Sequence, residues 1–256
     1  MTACILISGL AGARAQTTEN EKLESFFRSY LDERFRHRPV EATKLGDHRF
    51  DSLLEDVSQP ARDGWLAHTR KTLKELPKRV DYSKLSRPAQ IDFEIFKHDL
   101  ETQIWLAENT KPFEEDPRTY NDYINDSVYV LLVQSTLPKE TNIANCITRM
   151  AQIPRVIATA KQTLTHPPKP ILETAIRQNR GAISFYETEI FQFAGETPQR
   201  ERLKSAAAPV VAALMRAKSV FINGLPGAPF VRTSRALSRS NPPFSISASA
   251  SPSAAA

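Results

Sequence analysis

The stretch Pro39–Ser58, PVEATKLGDHRFDSLLEDVS, sets Asp47, His48 and Arg49 side by side. Those three types could supply a base, a proton shuttle and an anion clamp. Adjacent positions in a chain do not make catalytic geometry, which has to be met in space. The favoured reading is therefore a solvated turn after Gly46, with Asp47 capping it and His48 exposed. The alternative has this loop help to shape a substrate channel. Tyr120, Tyr123 and Tyr129 could line a peptide cleft, since a phenol both stacks and donates a hydrogen bond, but core packing is the preferred explanation. Arg177 and Arg180 flank the run RQNRG and could hold a substrate carboxylate through paired N–H groups. Surface pairing with Glu173 or Glu187 is preferred for them. The substrate-binding candidates are thus Asp47, His48, Arg49, Tyr120, Tyr123, Arg177 and Arg180, and no residue is assigned a catalytic role. Cys146 lies beside Ile147 on an apolar stripe, which points to a buried, inert thiol rather than a nucleophile.

These side chains need helices to carry them. A Thr-x-x-Glu box, Thr18 with Glu21, precedes apolar residues at Leu23, Phe26, Phe27, Tyr30, Leu31 and Phe35, and so predicts a helix start. Pro39 ends that helix and opens a short second one, which Gly46 closes. Ser58 caps a third helix bearing Trp65, Leu66 and Leu73, stopped at Pro77, and Ser86 with Pro88 opens a fourth through Ile91, Ile95, His98, Ile104 and Trp105. The run Val128–Val133 fits either a helix or a buried strand, and helix is preferred because every neighbour is helical. A further helix from Pro138 places Ile143, Ile147, Met150, Ile157 and Leu164 on one face, with Pro154 as a kink. After the break THPPKP, Leu172, Ile176, Ile183, Tyr186, Ile190 and Phe193 form one continuous stripe. Thr197-Pro198 caps the last helix, whose face is Leu203, Ala207, Val210, Leu214 and Phe221, with Pro209 as a second kink. The expected fold is all-α, an irregular multi-helix array followed by a disordered C-terminal tail.

Both ends differ from this body. Cys4–Ala11 is a short apolar run, and Ala13-Arg14-Ala15 places small residues before Gln16, so residues 1–15 read as a secretory signal peptide and the protein as exported, periplasmic or secreted. A ragged apolar N-terminus is the alternative. The segment 225–256 has no Asp, Glu or Lys and no helical period, and reads as a disordered or out-of-frame tail. The formal charge of +5 falls to +1 once Arg14, Arg232, Arg235 and Arg239 in these ends are set aside, which excludes a nucleic-acid binder as the leading class. No run reaches about 18 apolar residues, so no transmembrane segment is expected.

The blocks FFRSYLDERFRHRPVEATKLGDHRFD, LSRPAQIDFEIFKHDLE, QSTLPKETNIANCITRMAQIPRVI and ETAIRQNRGAISFYETEIF occur in this order. Together they resemble the N-terminal half of the bacterial domain-of-unknown-function (DUF) 885 family, whose members are similar to gluzincin-type zinc peptidases. The resemblance implies an all-helical fold about twice this length, a peptide substrate, and a zinc site of HExxH type in the C-terminal half. His37, His48, His68, His98 and His166 are the histidines here, and no two stand four apart. No metal ligands are therefore assigned and no cofactor is expected in this chain, zinc being implied for the intact family alone. The expectation is a helical domain over residues 16–224, an exported portion of a zinc-peptidase-like protein that is not catalytic by itself. Its alternative is a free-standing periplasmic binding module for a peptide or protein partner.

Overall fold

The computed structural model describes the backbone of residues 6–165 and 167–223, and side chains from Thr18 to Ala217 apart from His166. Every regular element among them is helical. The tail 225–256, His166 and the Phe221 side chain lie outside the described residues.

Helix α1, Leu6–His37, runs without interruption through the predicted start, so Thr18 and Glu21 are interior positions. The cap signal was misread because Glu19, not Glu21, is the residue that binds backbone: its carboxylate accepts from Asp81 N at 2.6 Å. Arg38 breaks the helix ahead of Pro39, and α2, Pro39–Lys44, ends at Gly46, whose φ of 84° is the left-handed conformation that glycine takes without a steric penalty. Ser58 caps α3, Gln59–Arg79, accepting from Ala61 N. Pro77 does not stop α3; it sits in the last turn, where its missing N–H costs one bond. Helix α4, Arg87–Asn109, is followed by two four-residue helices, α5, Pro112–Glu115, and α6, Arg118–Asn121.

A π-helical turn, Asp122–Asp126, leads into α7, Ser127–Val133, which settles the ambiguous run as helix. Next come α8, Lys139–Met150, and α9, Ile153–Thr163. Pro154 is therefore no kink. It opens a new helix, in the first turn, where its missing donor is harmless. Helix α10, Lys169–Ser184, passes through a second π turn, Phe185–Glu189, into α11, Ile190–Ala194. The extra residue of that turn shifts the stripe, so Ile190 and Ala194 are buried whereas Phe193 is 48% exposed. Helix α12, Arg200–Asn223, carries Pro209 internally and buries Leu203, Ala207, Val210 and Leu214 as its sequence predicts.

Two separate apolar clusters result. A small one joins α1, α3 and α4 through Leu23, Leu76, Val80, Leu85 and Phe93. A large one holds α2 and α6 to α12 around Leu131, Ile143, Met150, Ile153, Ile190 and Leu203. On α4 the buried residues are Phe93 and Leu100, and the apolar residues Ile91, Ile95 and Trp105 instead face outward. They fall on one side of the helix, Ile95 about one turn and Trp105 about four turns after Ile91. No helix among the described residues is long and apolar enough to cross a membrane.

Candidate functional site

The seam between the two clusters is open. It forms a cleft of about 600 Å³, walled by the end of α1, the first half of α3, the last turns of α4, and α5. A second hollow of about 380 Å³ lies between α1 and α3. Its charged lining is mostly paired internally, Lys22 with Glu19 and His68 with Glu33, so the first cleft is the one with unspent chemistry.

At its floor lies Glu55, only 6% exposed. The loop ahead of α3 carries it there, and the loop is fixed by α8 and α9. Leu54 N donates to Gln152 Oε1 at 3.1 Å, Gln152 Nε2 donates to Ser52 O at 2.9 Å, and Arg155 Nη2 donates to Glu55 O at 3.1 Å. Glu55 Oε1 accepts from Val40 N at 3.0 Å, which leaves Oε2 buried and without a protein partner. Burial pushes the Glu55 carboxyl above its ordinary range, against the pull of backbone N–H groups and of Arg149. A buried acceptor left unmade costs about 1–3 kcal/mol, more if it is charged. On α3, Trp65 Nε1 is likewise buried and unpartnered. The remaining carboxylates of the cleft are satisfied: Asp56 accepts from Ser58 N, Asp63 from Gln59, and Glu114 from Arg62.

Aromatic rings frame this pair. His37 stacks on Trp65 with centroids 4.4 Å apart, and burial, then the nearby Arg38, lowers its pKa to about 4, so it is neutral at pH 7. Opposite, Phe113 stacks with Tyr123, and the Arg62 guanidinium lies over the Phe113 ring at 4.3 Å. The arrangement offers an unpartnered carboxyl oxygen, an indole donor and flat apolar walls.

Of the seven candidates from sequence, Tyr123 alone lines this cleft. Tyr120 is 2% exposed and donates to Phe113 O, holding α5 on α6. Tyr129, the third tyrosine, packs edge-on against Phe185 and Phe193. Arg177 is exposed and donates to Thr174, while Glu173 pairs with Lys169, so the expected arginine–glutamate pair on α10 does not form there. Arg180 is exposed on the same helix. Asp47 caps a 3-10 turn, His48–Phe50, as expected, and forks with Arg49, which also reaches Asp32 at 2.7 Å. His48 is not free in solvent. Its Nδ1 meets the buried Asp51 Oδ2 at 2.9 Å, and its Nε2 lies 3.3 Å from Thr136 Oγ1.

That order, acid, imidazole, hydroxyl, is the connectivity of a catalytic triad. Its surroundings are those of a clamp, because Asp51 also accepts from Thr43 Oγ1 at 2.5 Å, and Thr43 accepts from Arg149 Nη2 at 2.7 Å. Neither His48 nor Thr136 lines the cleft. Arg149 is fully buried and also donates to Leu53 O, Ser127 O and Pro39 O. It was missed from sequence, although an arginine three residues after Cys146, on a stripe that continues to Ile153, was a readable sign. Glu55 gave no such sign, since its burial depends on contacts about 100 residues away in the chain. Cys146 is buried, and desolvation pushes its thiol up to about 12, as befits an inert side chain. Among the described residues no group of three His, Cys, Asp or Glu side chains is arranged to hold a metal ion.

Comparison with known proteins gives a family and a fold. A family described as bacterial protein of unknown function (DUF885) matches residues 39–228. A solved structure from Shewanella oneidensis, a candidate lipoprotein of unknown function, superposes with a TM-score of 0.70 at 21% identity. The match covers 78% of this chain and 37% of that one, so the chain spans well under half the length of the neighbour. No curated protein matches.

Proposed function

Because the chain belongs to the bacterial DUF885 family, we propose that it is the ligand-recognition portion of a larger, exported, zinc-peptidase-like protein, and that it binds peptide in the seam cleft without hydrolysing it by residues of its own. The observation that carries this is the pair of buried, unpartnered polar atoms, Glu55 Oε2 and Trp65 Nε1, within a cleft walled by rings. Pockets that combine apolar walls with a few placed polar groups are the usual form of ligand sites. Export is favoured by the apolar segment before Gln16 and by the neighbour's description as a candidate lipoprotein. Membership in a larger assembly, rather than a free-standing module, is favoured by the outward face of α4, where Ile91, Ile95 and Trp105 are 43–62% exposed and call for a covering surface. Zinc and the catalytic base would come from elsewhere in the intact protein, and Asp47, His48, Arg49, Arg177 and Arg180 are reassigned to the scaffold.

The chain has two tryptophans, so Trp105→Phe leaves Trp65 as the sole indole reporter at the cleft. Titration of that full-length variant with short apolar peptides is expected to change its emission saturably, and the peptides to survive incubation with zinc uncut. Constant emission and no heat of binding up to millimolar peptide would refute recognition, and zinc-dependent cleavage would refute the non-catalytic assignment.

A further inference from the structure

The cleft presents one unmet acceptor and one unmet donor, and a ligand that answers both is more narrowly defined than "peptide". Glu55 Oε2 calls for a donor, and because it belongs to a buried carboxylate with no cation at hydrogen-bond distance, a positively charged donor answers it best. Trp65 Nε1 can only donate, so it calls for a neutral or anionic oxygen. A lysine or arginine side chain supplies the cation and no acceptor. A carboxylate end supplies acceptors and is repelled by Glu55. The free amino terminus of a peptide carries an ammonium and, three bonds further on, a carbonyl oxygen, with its first side chain beside them. Resting on the peptide-binding reading above, we propose that the cleft holds a peptide by its free amino terminus, the α-ammonium taken by Glu55 Oε2 and the first carbonyl by the Trp65 indole N–H.

The flanking chemistry agrees. Arg62, the cation that could compete for the carboxylate, is engaged by Glu114, Val57 O and the Phe113 ring. Arg38, which also lines the cleft, acts on Glu55 by charge without bonding it and leans on Glu41 at 3.7 Å. The rings of His37, Trp65, Phe113 and Tyr123 leave flat apolar walls suited to an aliphatic or aromatic first residue. Both polar atoms are buried in the residues that line the cleft.

The test uses the full chain carrying Trp105→Phe and three probes: Leu-Ala-Ala amide, its N-acetyl form, and N-acetyl-lysine amide. Leu-Ala-Ala amide is expected to bind, acetylation to weaken it by about tenfold or more through loss of a charge-assisted bond, and N-acetyl-lysine amide to compete poorly. Glu55→Gln, which retains the acceptor for Val40 N, is expected to bring the free peptide down to the level of the acetylated one while leaving the acetylated one unchanged. Equal binding of the free and acetylated peptides, or competition by N-acetyl-lysine amide equal to that of the free peptide, overturns the amino-terminal assignment while leaving peptide recognition standing. Binding of none of the three overturns both. The acetylation comparison needs no substitution at the site, so it holds even if Glu55→Gln folds poorly.

Discussion

Arg149→Met should be among the most damaging single changes in this protein. Arg149 has no exposed surface and donates to Leu53 O at 2.9 Å, Ser127 O at 2.7 Å, Pro39 O at 3.3 Å and Thr43 Oγ1 at 2.7 Å. Burial pulls its pKa down, and Asp51 and Glu55 hold it up. Methionine fills much of the volume and answers none of those acceptors. Asp51, 1% exposed and 3.9 Å away, would also lose its nearest cation. Removing one member of a buried charged network costs about 3–5 kcal/mol, against a total of about 5–15 kcal/mol for a domain. Urea unfolding of the full chain, followed by helical circular dichroism, should show an unchanged slope and a midpoint lowered by about 1.5–2.5 M for a slope near 2 kcal/mol/M. Arg149→Lys should lose about half as much, since an ammonium keeps the charge and cannot span four acceptors. The double change with Asp51→Asn should cost less than the sum of its parts. A midpoint shift below about 0.5 M for Arg149→Met would show that water or relaxation replaces the network, and the clamp assignment would fail.

Two further expectations follow from other parts of the structure. His37 has its pKa lowered from 6.5 to about 4, so in that interval the unfolded chain binds the proton more readily and stability falls as pH drops from above 6.5 toward 4. The contribution is held to about 1–2 kcal/mol by solvent screening at this half-buried ring. Glu55, raised by burial, acts with the opposite sign, so the measurement is the difference in unfolding free energy between the native chain and His37→Gln across that range. A difference independent of pH would contradict the assignment. On α4, replacing both Ile95 and Trp105 with serine should change stability by no more than about 0.5 kcal/mol per site and lower self-association measured by light scattering. A loss comparable to a core substitution would mean that this face is packed in solution.

What the sequence made legible was periodicity, and what it hid was register and partnership. Leu203, Ala207, Val210 and Leu214 were readable because an amphipathic helix repeats its core residues every three or four positions. The same rule does not orient α4, where Ile91, Ile95 and Trp105 form an equally good stripe that faces outward while Phe93 and Leu100 are buried. A stripe says that a helix has an apolar side; it does not say what covers it. Pro77 and Pro154 were misjudged because a proline's effect depends on whether its missing donor was needed, which is settled by its distance from the helix end. His48 was expected in solvent because its partner Asp51 reads, in sequence, as one more polar loop residue; only folding reveals that Thr43 and Arg149 bury it. For the site itself the sequence offered Tyr123 and little else, since a cleft between two clusters is made by no single segment.

The placement of Glu55 and Trp65 follows from that division. Glu55 stands on a loop tied by Gln152, Arg155 and Arg149 to the large cluster, so its carboxylate is a fixed point of that body. Trp65 stands on α3, whose buried residues Thr69, Thr72 and Leu76 lie on the side of the small cluster formed with α1 and α4. The seam between them is crossed by the Arg62–Phe113 contact, the Arg62–Glu114 pair and the Arg34–Glu41 pair, none of which is a core contact. Partly exposed pairs of this kind contribute little each, so the seam can yield while both cores stay intact. A ligand that bonds Glu55 and Trp65 at once therefore does two things with the same contacts: it satisfies two buried groups that the protein leaves unmet, and it ties the small cluster to the large one across the seam.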